Sequence, residues 1–434
     1  MSFTPKAFLL LTLFFTTLLL QAETYRFEML HSMPKSVEKD YYIWRFLLQE
    51  NTSSKEAKEI MKEVSHLNKK LRLAYLEKTG HHITPPSTKQ RTKAPKKRQE
   101  VNYSKRAKGN RAFKKGIAFV ESQQLQKAAD AFYEAYGYYT QRWEKDKTLF
   151  WLYLVTEDKT YLKRLHQSYH INLYTLLSAD ILQTKYPKSI VTPKISKKRI
   201  HSLNSQNPIH WAKIKAKIAN PSTNLSQLAQ ACKSQESVGI YCYIQAKAQH
   251  YTKSYFPLPY RKTMRQFPKK RQALIYAIAR QESRFIPASV SRSFALGMMQ
   301  FMPFLIEHIA KERGEKIELE DIFNPQKAII YANAHLDYLE KYLYHPLFIA
   351  YAYNGGIGFT KRLLQDPHFF HKGAFEPYLS MEKMRNVQAR EYGKRVLTNY
   401  VIYLNKLGIP SRILPYIQQL TNPQKTDRFR DSSQ

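Results

Sequence analysis

Apolar residues recur along this chain at helical spacing, and no clean strand alternation takes their place. Leu125, Ala128, Ala129, Phe132, Tyr133 and Tyr136 make one stripe. Ala332, Leu336, Leu339 and Leu343 make a second, and Val396, Tyr400, Tyr403, Leu404 and Leu407 a third. Residues three and four apart share a helix face, so each stripe must be buried against another element. Glycine is scarce, at 13 of 434 residues. The expected fold class is all-α. With 43% hydrophobic residues the composition is globular, and the length allows two or three domains.

The N-terminus reads as an export signal over residues 1–22. Lys6 supplies a positive start, Ala7 to Leu20 an apolar run, and Gln21-Ala22 a small residue at a cleavage point. The run is short for a membrane span, and an uncleaved anchor helix is the alternative. No Cys lies near the cut, which argues against a lipid anchor. Residues 83–115 are rich in Lys and Arg and contain Pro85, Pro86 and Pro95. They read as a solvated linker or loop, with a polymer-gripping basic patch as the alternative. Residues 111–139 resemble one tetratricopeptide-like helix pair, though no fixed repeat is sustained. Prolines 257, 259 and 268 mark a joint over 256–270, and the polar tail from 421 is expected to be disordered.

Cys232 and Cys242 are the two cysteines, ten positions apart. In an exported chain a disulfide closing a helical hairpin is favoured over two free thiols. Without clustered His beside them they are not expected to hold a metal, and no cofactor is expected. The net charge of +36 suggests a polyanionic partner. An acidic cell-wall polymer or an anionic membrane surface fits an exported protein better than nucleic acid. A generally basic composition with no specific partner is the plain alternative.

Glu282 carries the chemistry. It ends an apolar stretch, and Leu274, Ile278 and Glu282 share one helix face. Desolvation there favours the neutral carboxylic acid, the form that can protonate a departing oxygen. Alone, the residue would read as an exposed helix-end glutamate. The sequence after it changes that reading: Glu282-Ser283-Arg284-Phe285 continues through Ser291 to Gly297-Met298-Met299-Gln300-Phe301-Met302-Pro303. Further blocks follow in Asp321-Ile322-Phe323-Asn324-Pro325, in Ala350-Tyr351-Ala352-Tyr353-Asn354-Gly355-Gly356, and in Tyr392-Gly393-Lys394-Arg395-Val396-Leu397 with Tyr400. Four blocks in this order resemble the soluble lytic transglycosylases, which have a goose-type lysozyme fold.

The resemblance implies a mostly helical protein: an α-superhelical domain over 23–260, a lysozyme-like catalytic domain over 261–410 and a tail over 411–434. It implies peptidoglycan glycan strands as substrate, with Glu282 catalytic. Ser291, Gly297, Met298, Gln300, Tyr353 and Asn354 would bind substrate. Ser291 offers a hydroxyl to sugar or to Glu282, or else serves a turn. Gly297 would let backbone approach sugar, or be a plain turn glycine. Of Met298 and Met299, one is expected in the core. Gln300 offers donor and acceptor, Tyr353 a hydroxyl into the cleft, and Asn354 a turn cap. The pattern departs from the family at Ile286 and Phe294. It departs again at Gln388, where a helper Glu often lies; Glu391 is the candidate substitute. No second acid falls within 283–303, which fits the family's mechanism of one glutamate and an intramolecular attack. Two rivals remain: a hydrolytic lysozyme on the same fold, and an inactive peptidoglycan-binding scaffold. A nucleic-acid binder, supported by charge alone, has no motif.

Overall fold

The computed structural model describes residues 25–83, 96–196 and 200–430. The expected signal at 1–22 lies outside them. The regular structure of the described residues is almost entirely helical, as the stripes predict. One two-stranded parallel ribbon pairs Ile190–Val191 with Ser254–Tyr255, in the register Ile190 to Ser254. Among the described residues no helix is long and apolar enough to cross a membrane.

The N-terminal helices build two packing units. Helices Lys96–Glu121, Leu125–Tyr138 and Arg142–Thr156 follow one another antiparallel, closing a small core of Phe113, Phe132 and Trp151. The Trp151 indole lies 5.5 Å from the Phe132 ring. A second core joins Trp211, Ile214 and Ile240 to Ile286 and Ala288. The largest core runs from Leu30 and Trp44 through Leu177 to Phe256, Ile278 and Leu420. It passes through the proline-rich stretch 256–270 without a break, because Phe256 and Met264 are themselves buried.

Three expectations change here. The basic segment 83–115 is in part helical: from Lys96 onward it belongs to a 26-residue helix, seated by Ala112, Phe113, Ile117 and Val120. Residues 84–95 lie outside the described residues. The tail is ordered as far as residue 430. Asp427 is fully buried, and the Arg430 guanidinium donates to Asp427, to the Thr426 hydroxyl and to the carbonyls of Phe370 and Leu420. A guanidinium with four acceptors offsets its own desolvation, which a polar composition does not reveal. Cys232 and Cys242 are both free and buried, with burial pushing the thiols up to about 11 and about 12. They act as small core residues.

Helix Lys269–Glu282 is the axis of the C-terminal half, with every residue from Gln272 to Ala279 buried. It packs on helix Val387–Lys406, which packs on helix Pro346–Gly355. Gly393 permits that second approach: a Cβ there would fall 2.2 Å from the Tyr351 ring.

Candidate active site

Glu282 is the last residue of its helix. Neighbouring side chains leave the residue half-buried, and they desolvate its carboxyl group. Burial raises its pKa from 4.5 to about 7, opposed by one hydrogen bond. That bond comes from the Tyr392 hydroxyl, 2.6 Å from Oε1. Tyr353 is also close: burial and then the Glu282 charge raise its hydroxyl pKa well above the usual value. No second carboxylate among the described residues perturbs Glu282.

The loop after Glu282 is held by its own polar groups. The Ser283 hydroxyl donates to the Met298 carbonyl at 2.7 Å and accepts from the Ile286 amide. The Ser291 hydroxyl accepts from the amides of Ser293 and Ala295, so it is occupied with the turn. Gln300 donates to the carbonyls of Ser289 and Gly297, tying the loop shut. Gly297 has φ of +76°, and a Cβ there would lie 2.7 Å from the Ile322 carbonyl oxygen. Its close neighbour is therefore protein backbone. Met298 and Met299 are both buried in the core, where one had been expected.

Phe294, one of the departures from the family pattern, also has positive φ, +62°. A side chain there costs on the order of 1 kcal/mol in backbone strain. The ring is fully buried, 5.5 Å from Trp44 and 5.8 Å from Tyr41. This chain thus uses the turn to anchor the loop on helix Val37–Leu47.

Tyr353 donates its hydroxyl to the Met299 carbonyl at 3.0 Å, pinning helix Pro346–Gly355 to the loop. Asn354 beside it is half-buried, and its side chain makes no hydrogen bond with a described residue. The turn cap instead comes from the Gly356 amide, which donates to the Ala352 carbonyl.

Neither helper candidate meets Glu282. Gln388 is exposed. Glu391 accepts from Arg390 at 3.0 Å and from Lys394 at 3.2 Å, on a different face of its helix. A cavity of about 380 Å³ on that side is lined by Arg280, Gln281, Arg284, Glu391 and Arg395, without Glu282. The partner that sequence reasoning missed is Tyr392. The signal was present, since Tyr392, Val396 and Tyr400 continue one stripe at four-residue steps. Removing the hydroxyl in Tyr392→Phe removes the one influence that lowers the Glu282 pKa. That carboxyl is then expected to hold its proton to higher pH, and titration of Glu282 by carboxyl-labelled NMR would measure the shift.

Among its described residues this is a mostly helical protein in which a desolvated acid, Glu282, is held by the hydroxyl of Tyr392. Residues 259–374 match the model of the transglycosylase SLT domain. A putative soluble lytic murein transglycosylase of Haemophilus influenzae is 39% identical over 82 residues. That match spans 18% of this chain and only 14% of the relative's length. An inactive mutant of the lytic transglycosylase Slt of Pseudomonas aeruginosa shares the fold. Its TM-score is 0.50 at 17% identity, over 86% of this chain and 63% of that one. The 70 kDa soluble lytic transglycosylase of Escherichia coli gives 0.49 at 16% identity, over 93% and 67%.

Proposed function

We propose that this protein is a lytic transglycosylase of the cell envelope that cleaves the β-1,4 bond between N-acetylmuramic acid and N-acetylglucosamine in peptidoglycan. The observation that carries this reading is the lone carboxyl of Glu282, with a pKa of about 7 and no acidic partner. Protonated, it gives its proton to the glycosidic oxygen as the C1–oxygen bond breaks. The Tyr392 hydroxyl then steadies the carboxylate that remains. The substrate's own C6 hydroxyl adds to C1 and returns its proton to Glu282. No water is consumed, and the product is a 1,6-anhydromuramyl end. A tethered nucleophile has a high effective concentration, so a second protein carboxylate is not required.

Among the predicted substrate-binding residues, Asn354, next in sequence to Tyr353, is the polar one whose side chain stays uncommitted among the described residues. We assign it to hold the sugar. Ser291, Gly297, Met298 and Gln300 then act by shaping the loop. The net charge of +36 and the expected export signal support a location against the anionic wall outside the cytoplasm.

Digestion of purified sacculi followed by mass spectrometry tests the proposal. Fragments lighter by one water than the hydrolysed muropeptides are expected. Hydrated ends would make the protein a lysozyme, and sacculi left uncut would make it a scaffold.

A further inference from the structure

Two of the exposed aromatic rings in this half of the molecule stand on neighbouring helices. Phe304 is 64% exposed and Tyr338 is 41% exposed, both high for large apolar side chains. They stand on adjacent packed helices, Pro303–Glu312 and Pro325–Glu340. Phe304 and His308 are four residues apart and share a face of the first helix. His335 and Tyr338 share a face of the second, and Tyr342 follows one turn beyond.

The rings that begin on the second helix are continuous with the candidate site. His335 lies 5.3 Å from the Tyr353 ring, and Tyr353 is the neighbour of Glu282. Tyr338 lies 6.3 Å from His335, near-parallel at 18°, and Tyr342 lies 5.9 Å from Tyr338. His308 is near enough for its charge to help depress His335, whose pKa burial first lowers to about 4. The His335 ring is therefore neutral near pH 7 and presents an uncharged surface. From His335 to Tyr338 the row follows about 4.5 Å of helix, and Tyr342 lies just past its end.

We infer that Phe304, His335, Tyr338 and Tyr342 form an aromatic shelf that carries the glycan strand away from the cleavage point at Glu282. The inference rests on the function proposed above. Its chemistry is that of a pyranose ring, whose C–H face is apolar and whose rim is hydroxylated. Such a ring lies on exposed aromatic faces and keeps its hydroxyls in water. Core packing explains buried tyrosines, but it does not explain why Phe304 and Tyr338 remain open.

The test uses the full chain with Phe304→Ala and Tyr338→Ala combined; both side chains are exposed, so the fold is retained. On long glycan strands kcat/KM is expected to fall about tenfold, mainly through KM. The preference for long strands over fragments of two disaccharides should shrink with it. Sedimentation with peptidoglycan, in a Glu282→Gln background that leaves polymer uncut, should show weaker binding from the same pair. If both the length preference and the binding survive, the shelf lies off the substrate path and the inference is wrong, while cleavage by the parent protein still supports the proposed function. If the parent protein neither cuts nor binds peptidoglycan, the proposed function fails first and the shelf has a different occupant, such as a protein.

Discussion

Glu282→Gln is expected to lower glycan cleavage by about two to four orders of magnitude while the protein stays folded. The amide keeps the volume and can still accept from Tyr392, but it has no proton to give and cannot take one back. The parent's pH profile should agree. Because the neutral acid is the active form of the free protein, kcat/KM should decline as pH rises past the Glu282 value of about 7. Stability carries an independent signature of the same carboxyl. Below the ordinary value of 4.5 both folded and unfolded chains hold the proton. Between 4.5 and 7 the unfolded chain ionises while the folded one does not, so the parent loses stability as pH rises. Glutamine has no such titration. Allowing for the residue's partial exposure, the variant should gain about 2 kcal/mol relative to the parent between pH 4.5 and pH 8, read from denaturant midpoints. A constant difference across that range would mean that Glu282 is not desolvated.

The acid was singled out by the motif blocks that follow it, since alone it would have read as an exposed helix-end glutamate. Ile278 and Leu274 lie one and two turns away on the same helix, so spacing alone showed the face it shares. The long helices were legible for the same reason. What escaped depends on contacts between distant segments. Tyr392 reaches Glu282 across 110 positions. Glu391 looked like a helper acid until Arg390 and Lys394 claimed it. Arg430 makes a polar tail into a packed one by meeting the Phe370 carbonyl 60 positions away. The Lys/Arg-rich helix was hidden by its first turns, since its apolar contacts begin only near Ala112. Phe294 shows the converse: its place in the motif marked a departure from the family pattern, but only the packed partners Tyr41 and Trp44 explain why a ring is tolerated there.

The second large effect is on stability, and it concerns the charge cluster that fastens the N-terminal helices to the helix of Tyr392. Glu382, on helix Tyr378–Lys383, is buried between Lys394 at 2.6 Å and Lys147 at 3.5 Å, and it shares a hydrogen bond with the Tyr174 hydroxyl. Lys147 belongs to helix Arg142–Thr156 and Tyr174 to helix Leu173–Ile181. Burial alone would raise the Glu382 pKa, but Lys147, Lys394 and Arg390 hold it well below the usual range. Burial lowers that of Lys147, whose ammonium also sits 3.7 Å over the Phe113 ring. Lys394 has Glu391 as a second partner, whereas Glu382 is the carboxylate that meets Lys147. Glu382→Gln therefore strands a buried ammonium and is expected to cost about 3–5 kcal/mol near neutral pH. A depressed carboxylate stabilises the fold above its unfolded value and loses that contribution as pH falls through its folded value. The gap between parent and variant should thus narrow in acid. Combining Glu382→Gln with Lys147→Met removes the stranded charge, so the double variant should recover part of the loss rather than add to it. If the two losses simply add in urea unfolding, Lys147 and Glu382 are not coupled. The cluster would then rest on Lys394 alone, and the N-terminal helices would be fastened by their apolar contacts.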